Sequence, residues 1–193
     1  MDGKPEEIFG KGYMTTDKLM ASGVPFNRIN EWLSSGAIEK VDRGVYCLPR
    51  TKRDDLALIQ YKYDKCIFSG ITALSILGLS DHISDSIHVT FPQGYNPSSL
   101  NDCQWNLSVT RSVPKIYETG ITTAVTAYGN EIRVYDMERS LCDILRGKGI
   151  PPFIVKTAMR RYLSSPDRDV DLLRNYADLL HVSDRIEPFI ELF

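Results

Sequence analysis

The chain has 193 residues, 42% hydrophobic and 25% charged, which suits one large or two small packed domains and excludes disorder overall. Its net charge of −2 hides an asymmetry, because residues 11–53 hold eight basic against four acidic side chains while the rest carries the acidic excess. No charged-then-apolar leader is present and no apolar run approaches the roughly 18 residues of a membrane span, so a soluble cytoplasmic protein with no membrane partner is expected. Cys47, Cys66, Cys103 and Cys142 form no CxxC pair and no Cys/His cluster, which predicts reduced thiols and no metal site.

The first ten residues offer at most a turn or two of helix after Pro5, with Ile8 and Phe9 able to pack on the next element. Thr15 or Thr16 caps a short helix carrying Leu19 and Met20, because a threonine oxygen accepts an orphan N–H of the first turn. Gly23 suits the left-handed residue that ends it, and Pro25 suits the first turn of the next helix, where a missing N–H costs nothing. From Phe26 to Ser35 a pitch of about 3.6 residues per turn puts Phe26, Ile29, Trp32 and Leu33 on one stripe. Asn27, Glu31, Ser34 and Ser35 lie opposite, flanked by Arg28 and Asn30. After Gly36 the pattern becomes strand, Ile38–Val41 and Val45–Leu48, joined by a three-residue loop, Asp42-Arg43-Gly44. Glycine closes such a loop because it takes positive φ, and Lys40 and Arg43 come to the hairpin tip.

From Thr16 to Leu48 the order is therefore helix, turn, helix, hairpin, the order of a winged helix-turn-helix that docks on duplex DNA. Turn chemistry, amphipathic face and hairpin cations agree on that reading. The purely structural alternative is a helical hairpin packed on a β-hairpin. Arg50-Thr51-Lys52-Arg53 is a basic connector and the best domain boundary, giving 1–49 as the winged domain, 50–53 as connector and 54–193 as a second domain.

In the second domain Asp54–Tyr63 reads as helix, and Ser69 can cap a nearly all-apolar helix, Gly70–Leu79. Ile87, Val89 and Phe91 alternate with Ser86, His88 and Thr90 in a half-buried strand that ends at Pro92. A long loop, Gln93–Asp102, leads to strands Trp105–Thr110, Ile121–Ala127 and Glu131–Tyr135, a small mainly antiparallel sheet. The last third is helical: Asp136 caps Met137–Arg146, Pro151-Pro152 starts Phe153–Leu163, Asp169 caps Val170–Leu180, and Ser183 caps a helix interrupted at Pro188. The fold class is α+β.

Catalytic chemistry finds little footing. His82, His88 and His181 stand in no HExxH frame, and the chain lacks a GxSxG elbow, a P-loop and a GxGxxG, so neither an enzyme nor a cofactor is expected. One loose echo of a metal-dependent nuclease remains, Asp85 or Asp102 upstream of Glu131-Ile132-Arg133.

The chain resembles the antitoxins of the AbiE abortive-infection systems, the AbiEi family. The matching segments are the module ending in Arg43-Gly44-Val45-Tyr46, Ile67-Phe68-Ser69-Gly70-Ile71-Thr72-Ala73-Leu74, Ile87-His88-Val89-Thr90-Phe91-Pro92, and Val134 to Asp143. The resemblance implies a bacterial transcriptional regulator of phage defence that represses its own operon at inverted repeats. It also implies a C-terminal domain that neutralises a nucleotidyltransferase-like toxin in the type IV manner, without a stable complex. A monomer in solution with more than one copy on promoter DNA is expected.

On this reading Asn27, Arg28, Asn30, Glu31 and Ser34 face base edges, since Arg-to-guanine and Asn-to-adenine contacts suit their geometry. Thr16, Lys18, Lys40, Arg43, Lys52 and Arg53 are the phosphate candidates. A second basic surface is offered by Arg139, Arg146, Lys148, Lys156, Arg160 and Arg161. The rival reading is a protein-interaction module that grips a toxin or receptor directly.

Overall fold

The structure, a computed structural model, describes residues 4–10, 12–97, 100, 103–147 and 149–192; Lys11, Asp102 and Lys148 of the readings above lie outside them. The chain forms two compact units, Met1–Asp64 with Val125–Ile132, and Lys65–Ala124 with Arg133–Phe193. The first unit thus runs past the 50–53 connector and takes in a segment distant in sequence. Asp54 supplies a physical reason: 2% exposed, it accepts hydrogen bonds from Thr126 Oγ1 at 2.5 Å and Asn130 Nδ2 at 2.7 Å. The connector itself is tied down, because the buried Tyr13 hydroxyl donates to Lys52 O and accepts from Asp54 N.

The first unit runs α1 (Pro5–Phe9), β1 (Tyr13–Thr15), α2 (Thr16–Ala21), α3 (Phe26–Ser34), β2 (Glu39–Asp42), β3 (Val45–Cys47) and α4 (Asp55–Lys62). Thr15 caps α2 by accepting from Lys18 N at 3.2 Å. Both α2 and α3 end on a left-handed glycine, Gly23 at φ 83° and Gly36 at φ 72°. The following amides, Val24 N and Ala37 N, reach back to the carbonyls of Leu19 and Trp32, which satisfies the helix ends and reverses the chain sharply. Pro25 is the residue before α3 rather than in its first turn, its extended ψ of 154° setting the entry of the helix.

Strand β3 lies between β1 and β2 and runs antiparallel to both. Its central place buries Val45, Tyr46 and Cys47 alike. The hairpin is tighter than expected: Asp42 pairs with Val45, so Arg43-Gly44 is the turn, and a register shift between Lys40 and Asp42 absorbs the extra residue. Phe9, Leu19, Val24, Ile29, Trp32, Ile38 and Tyr46 form the core of this unit. Phe26, expected on the same apolar stripe, is 54% exposed because it begins the helix, ahead of the turn that packs.

The second unit holds β4 (Ile67–Phe68), α5 (Gly70–Ile76), β5 (Ile87–Pro92), β6 (Leu107–Ser112), α6 (Pro114–Glu118), β7 (Ile121–Val125), β8 (Glu131–Tyr135), α7 (Met137–Arg146), α8 (Pro152–Leu163), α9 (Val170–Leu180) and α10 (Ser183–Ile190), the tip of the β7–β8 hairpin being counted with the first unit. The strand order is β6-β5-β4-β8-β7. This sheet is mixed, not mainly antiparallel: β4 pairs antiparallel with β5, but β4 with β8 and β5 with β6 are parallel. Alternation reveals that one face of a strand is buried and says nothing of direction, which the connections decide. The loop after β5 is long enough to return the chain in the same sense.

A second core gathers Leu74, Leu141, Ile144, Ile154, Met159, Tyr162, Leu173, Leu180 and Ile186 from α5 and the last four helices. Asp136 and Asp169 cap α7 and α9 as expected, accepting from Arg139 N at 2.8 Å and Leu172 N at 2.9 Å. Two expected caps fail because their hydroxyls are engaged elsewhere, Ser69 with Thr90 and Ser183 with Asp178. Pro188 lies inside α10 without interrupting it; the carbonyl it leaves without an amide belongs to exposed Asp184, where water can take the bond. The cysteines are free thiols, three of them buried. Among the described residues no helix is long and apolar enough to cross a membrane.

Candidate nucleic-acid interface

Asn27, Asn30, Glu31 and Ser34 recur along α3 at intervals of three or four residues, and all four are exposed. Opposite them Ile29 and Trp32 are buried at 0% and 6%, so the inner face locks the helix while the outer one presents amides, a carboxylate and a hydroxyl. Arg28 sits at the edge of this face. Its guanidinium donates to Glu31 at 2.8 Å, with i,i+3 spacing, and lies 5.8 Å from the Trp32 ring, so the stem is held against the core while the charge meets Glu31. Ser34 Oγ donates to Asn30 O at 2.8 Å, which leaves its lone pairs as the outward function.

The hairpin tip is anchored to the start of α2. Gly44 O accepts from Thr16 N at 2.9 Å and, at 3.4 Å, from Thr16 Oγ1, so the Thr16 proton counted toward phosphate is already engaged. Gly44 takes φ 71° and a Cβ there would meet Thr16 Oγ1 at 3.3 Å, which reserves the turn for glycine. Asp42 accepts from Arg43 N at 2.6 Å and from Lys62 Nζ at 3.1 Å. Its negative charge is therefore answered from α4. Lys40 and Arg43 are exposed on this braced turn.

The other phosphate candidates divide. Lys18 is exposed with its ammonium 4.7 Å from the Tyr61 ring centre, a contact that orients the cation without cancelling its charge. Lys52 is exposed, whereas Arg53 is spent on Asp55 at 2.8 Å. Two residues the sequence did not single out flank the helical turn as exposed apolar groups, Met20 at 53% and Phe26 at 54%. Periodicity could not reveal them, because it assigned Phe26 to the core.

The second basic surface is reduced by the structure. Arg139 is buried at 1% exposure, its guanidinium bonded to Asp143 and to the carbonyls of Ile116 and Thr119 and stacked 4.1 Å from the Tyr135 ring centre. It is a core residue, not a surface cation. Arg161 is engaged by Asp81 and Gly78 O. Lys156 and Arg160 are exposed one turn apart on α8, and Arg146 is exposed at the end of α7. Among the described residues no three His, Cys, Asp or Glu side chains are grouped to hold a metal ion. Asp85 and Glu131 of the nuclease echo are each exposed.

No curated protein matches the chain. Among solved structures, the RV2827C protein from Mycobacterium tuberculosis is similar at 16% identity over 93% of this chain and 75% of that one, with a TM-score of 0.47. Residues 5–49, which hold α1 through β3, match the family model described as "Transcriptional regulator, AbiEi antitoxin", so over that stretch the chain carries the pattern of the family it resembles.

Proposed function

We propose that the chain is a DNA-binding antitoxin that represses its own operon, with residues 5–49 forming a winged helix-turn-helix. The observation that carries this reading is the exposed polar face of α3, Asn27, Asn30, Glu31 and Ser34, on a helix pinned from behind by Ile29 and Trp32. In this reading α3 enters the major groove and its amides read base edges, while the Arg28–Glu31 pair opens or turns as a unit toward a guanine or cytosine. The β2–β3 hairpin is the wing. Arg43, Lys40, Lys18 and Lys52 meet phosphates and supply affinity that does not depend on sequence. The match of residues 5–49 to a family of transcriptional regulators supports the same reading.

The operator would be an inverted repeat in promoter DNA, occupied by more than one copy of a protein that is monomeric in solution. The antitoxin role, opposing a nucleotidyltransferase-like toxin without a stable complex, falls to the part of the chain beyond the winged module, in the cytoplasm. No catalytic step is assigned to it.

The test is a mobility-shift and footprinting assay of the intact chain on its own upstream DNA. A chain cut at Arg53 would sever the first unit, so the whole protein is used. A protected inverted repeat, lost on Asn30→Ala, supports the reading; equal binding to any duplex, or none, sinks it. A second reading, a module that grips a toxin directly, draws on exposed Met20 and Phe26. Co-purification of the cognate toxin, abolished by Phe26→Ser and with no DNA shift, would favour it instead.

A further inference from the structure

Helix α8 is packed on one side and bare on the other. Ile154, Ala158 and Tyr162 recur at four-residue spacing and are buried. Phe153, Lys156, Thr157 and Arg160 follow the i, i+3, i+4, i+7 spacing of the opposite stripe, and all four are exposed. The repression proposed for α3 uses none of them. A solvated helix face is ordinarily polar throughout, yet this one opens on an aromatic ring that is 58% exposed. His82, from the segment between α5 and β5, meets that ring edge to face, with centroids 5.8 Å apart and planes at 83°. The contact orients the ring without covering it. Ile83, the next residue, is 87% exposed.

The two cations of the face are uncommitted. Lys156 and Arg160 form no ion pair, side-chain hydrogen bond or ring contact among the described residues. Arg161 beside them does, donating to Asp81 at 3.0 Å and to Gly78 O at 3.1 Å. That pairing also takes up the carboxylate next to His82 in the chain. Like charges one turn apart repel and destabilise a helix slightly, a cost that an anion lying across both removes. At a rise of about 1.5 Å per residue, Lys156 and Arg160 stand about 6 Å apart along the helix, with Phe153 about 4.5 Å before the first. This is close to the separation of successive phosphates in a strand that is not wound into a duplex.

We infer that the outer face of α8 binds a single-stranded polynucleotide, a base stacking on Phe153 and successive phosphates meeting Lys156 and Arg160. An exposed ring followed by a line of cations suits such a strand, because every base offers a π face and every linkage a charge. A duplex keeps its bases stacked on one another and would use the cations but not the ring. An acidic protein segment would answer the charges and leave the ring in water. Stacking and charge pairing read neither the base nor the sugar, so ribose and deoxyribose strands are bound alike.

Fluorescence anisotropy of the intact chain at low salt tests the assignment, with labelled oligo(dT), oligo(U) and an abasic deoxyribose-phosphate strand of about twelve nucleotides each. Oligo(dT) and oligo(U) should bind within about threefold of one another, and the abasic strand about fivefold or more weaker. Phe153→Ala should weaken oligo(dT) by about fivefold or more without changing the slope of log affinity against log salt, and Phe153→Trp should retain binding. Lys156→Ala and Arg160→Ala should each reduce that slope by about 0.7. All three side chains are exposed, so these changes should leave the melting curve in place. Arg43→Ala and Asn30→Ala, on the proposed DNA face, should leave oligo(dT) binding unchanged while impairing the operator duplex, so the two readings fail separately. The inference is overturned if oligo(dT) does not bind, or if the abasic strand or poly-glutamate binds as well as oligo(dT). It is equally overturned if Phe153→Ala binds as tightly as wild type, if one sugar is preferred by about tenfold, or if binding is lost with Arg43 instead.

Discussion

Replacing Arg139 by alanine separates a core role from a DNA-binding one. The guanidinium donates from Nε to Asp143 at 3.1 Å and from Nη1 to the carbonyls of Thr119 and Ile116, and it stacks on Tyr135. Removing it strands the Asp143 carboxylate, whose pKa burial already raises, and takes the charged donor from two backbone carbonyls. Breaking a buried ion pair from one side costs about 3–5 kcal/mol, and that is the expected loss. Urea unfolding in a Trp32→Phe background reads it out, because Trp105, 9% exposed, then reports the unit that holds Arg139. Arg139→Met with Asp143→Leu should recover much of the loss, since removing both charges leaves neither unpaired. A loss below about 1 kcal/mol, or DNA affinity that falls while stability holds, would refute the burial argument and return Arg139 to the surface.

Three further outcomes are expected. Asp54→Ala removes the cap on α4, where its carboxylate accepts from Ala57 N at 3.2 Å, and unpairs the buried Asn130 amide; the first unit should lose about 2–4 kcal/mol by denaturant titration. Asn30→Ala should cost about 1–3 kcal/mol on the operator alone, whereas Arg43→Ala should weaken every duplex and reduce the slope of log affinity against log salt by about one, as read by anisotropy titration. Burial raises Asp136 from 3.8 to about 6, against the pull of Arg139 and of the Tyr176 hydroxyl. The folded state then binds the proton more tightly than the unfolded one, so the ionised carboxylate costs stability above about pH 6 and the cost fades as pH drops toward 3.8. Wild type should accordingly gain stability relative to Asp136→Asn between about pH 7 and about pH 5.

Much of the fold is written locally, and there the sequence sufficed. Caps at Thr15, Asp136 and Asp169, the left-handed glycine after α2, and the apolar spacing of Ile29 and Trp32 depend on neighbours within a turn or two, so composition and period reveal them. The polar outer face of α3 was legible for the same reason. Strand β1, only three residues long, carries too short a pattern to be seen.

Partners distant along the chain were beyond its reach. Nothing within the segment Asp54 to Tyr63 indicates that Asp54 binds Thr126 and Asn130, which carries the first unit past the basic connector. Arg139 looks like any helical cation until the carbonyls of α6 and the turn after it close around it. Serine and threonine alternating along β6 resemble an ordinary half-exposed strand, and only its parallel register with β5 turns them into the wall of a cavity. The sequence by itself determined the longer helices, the caps at Thr15, Asp136 and Asp169 and which side of α3 faces outward, because those are near-neighbour properties. Tertiary structure alone decided strand direction, which cations are spent on internal partners and where hydroxyls converge, because each depends on groups that meet only when distant segments pack.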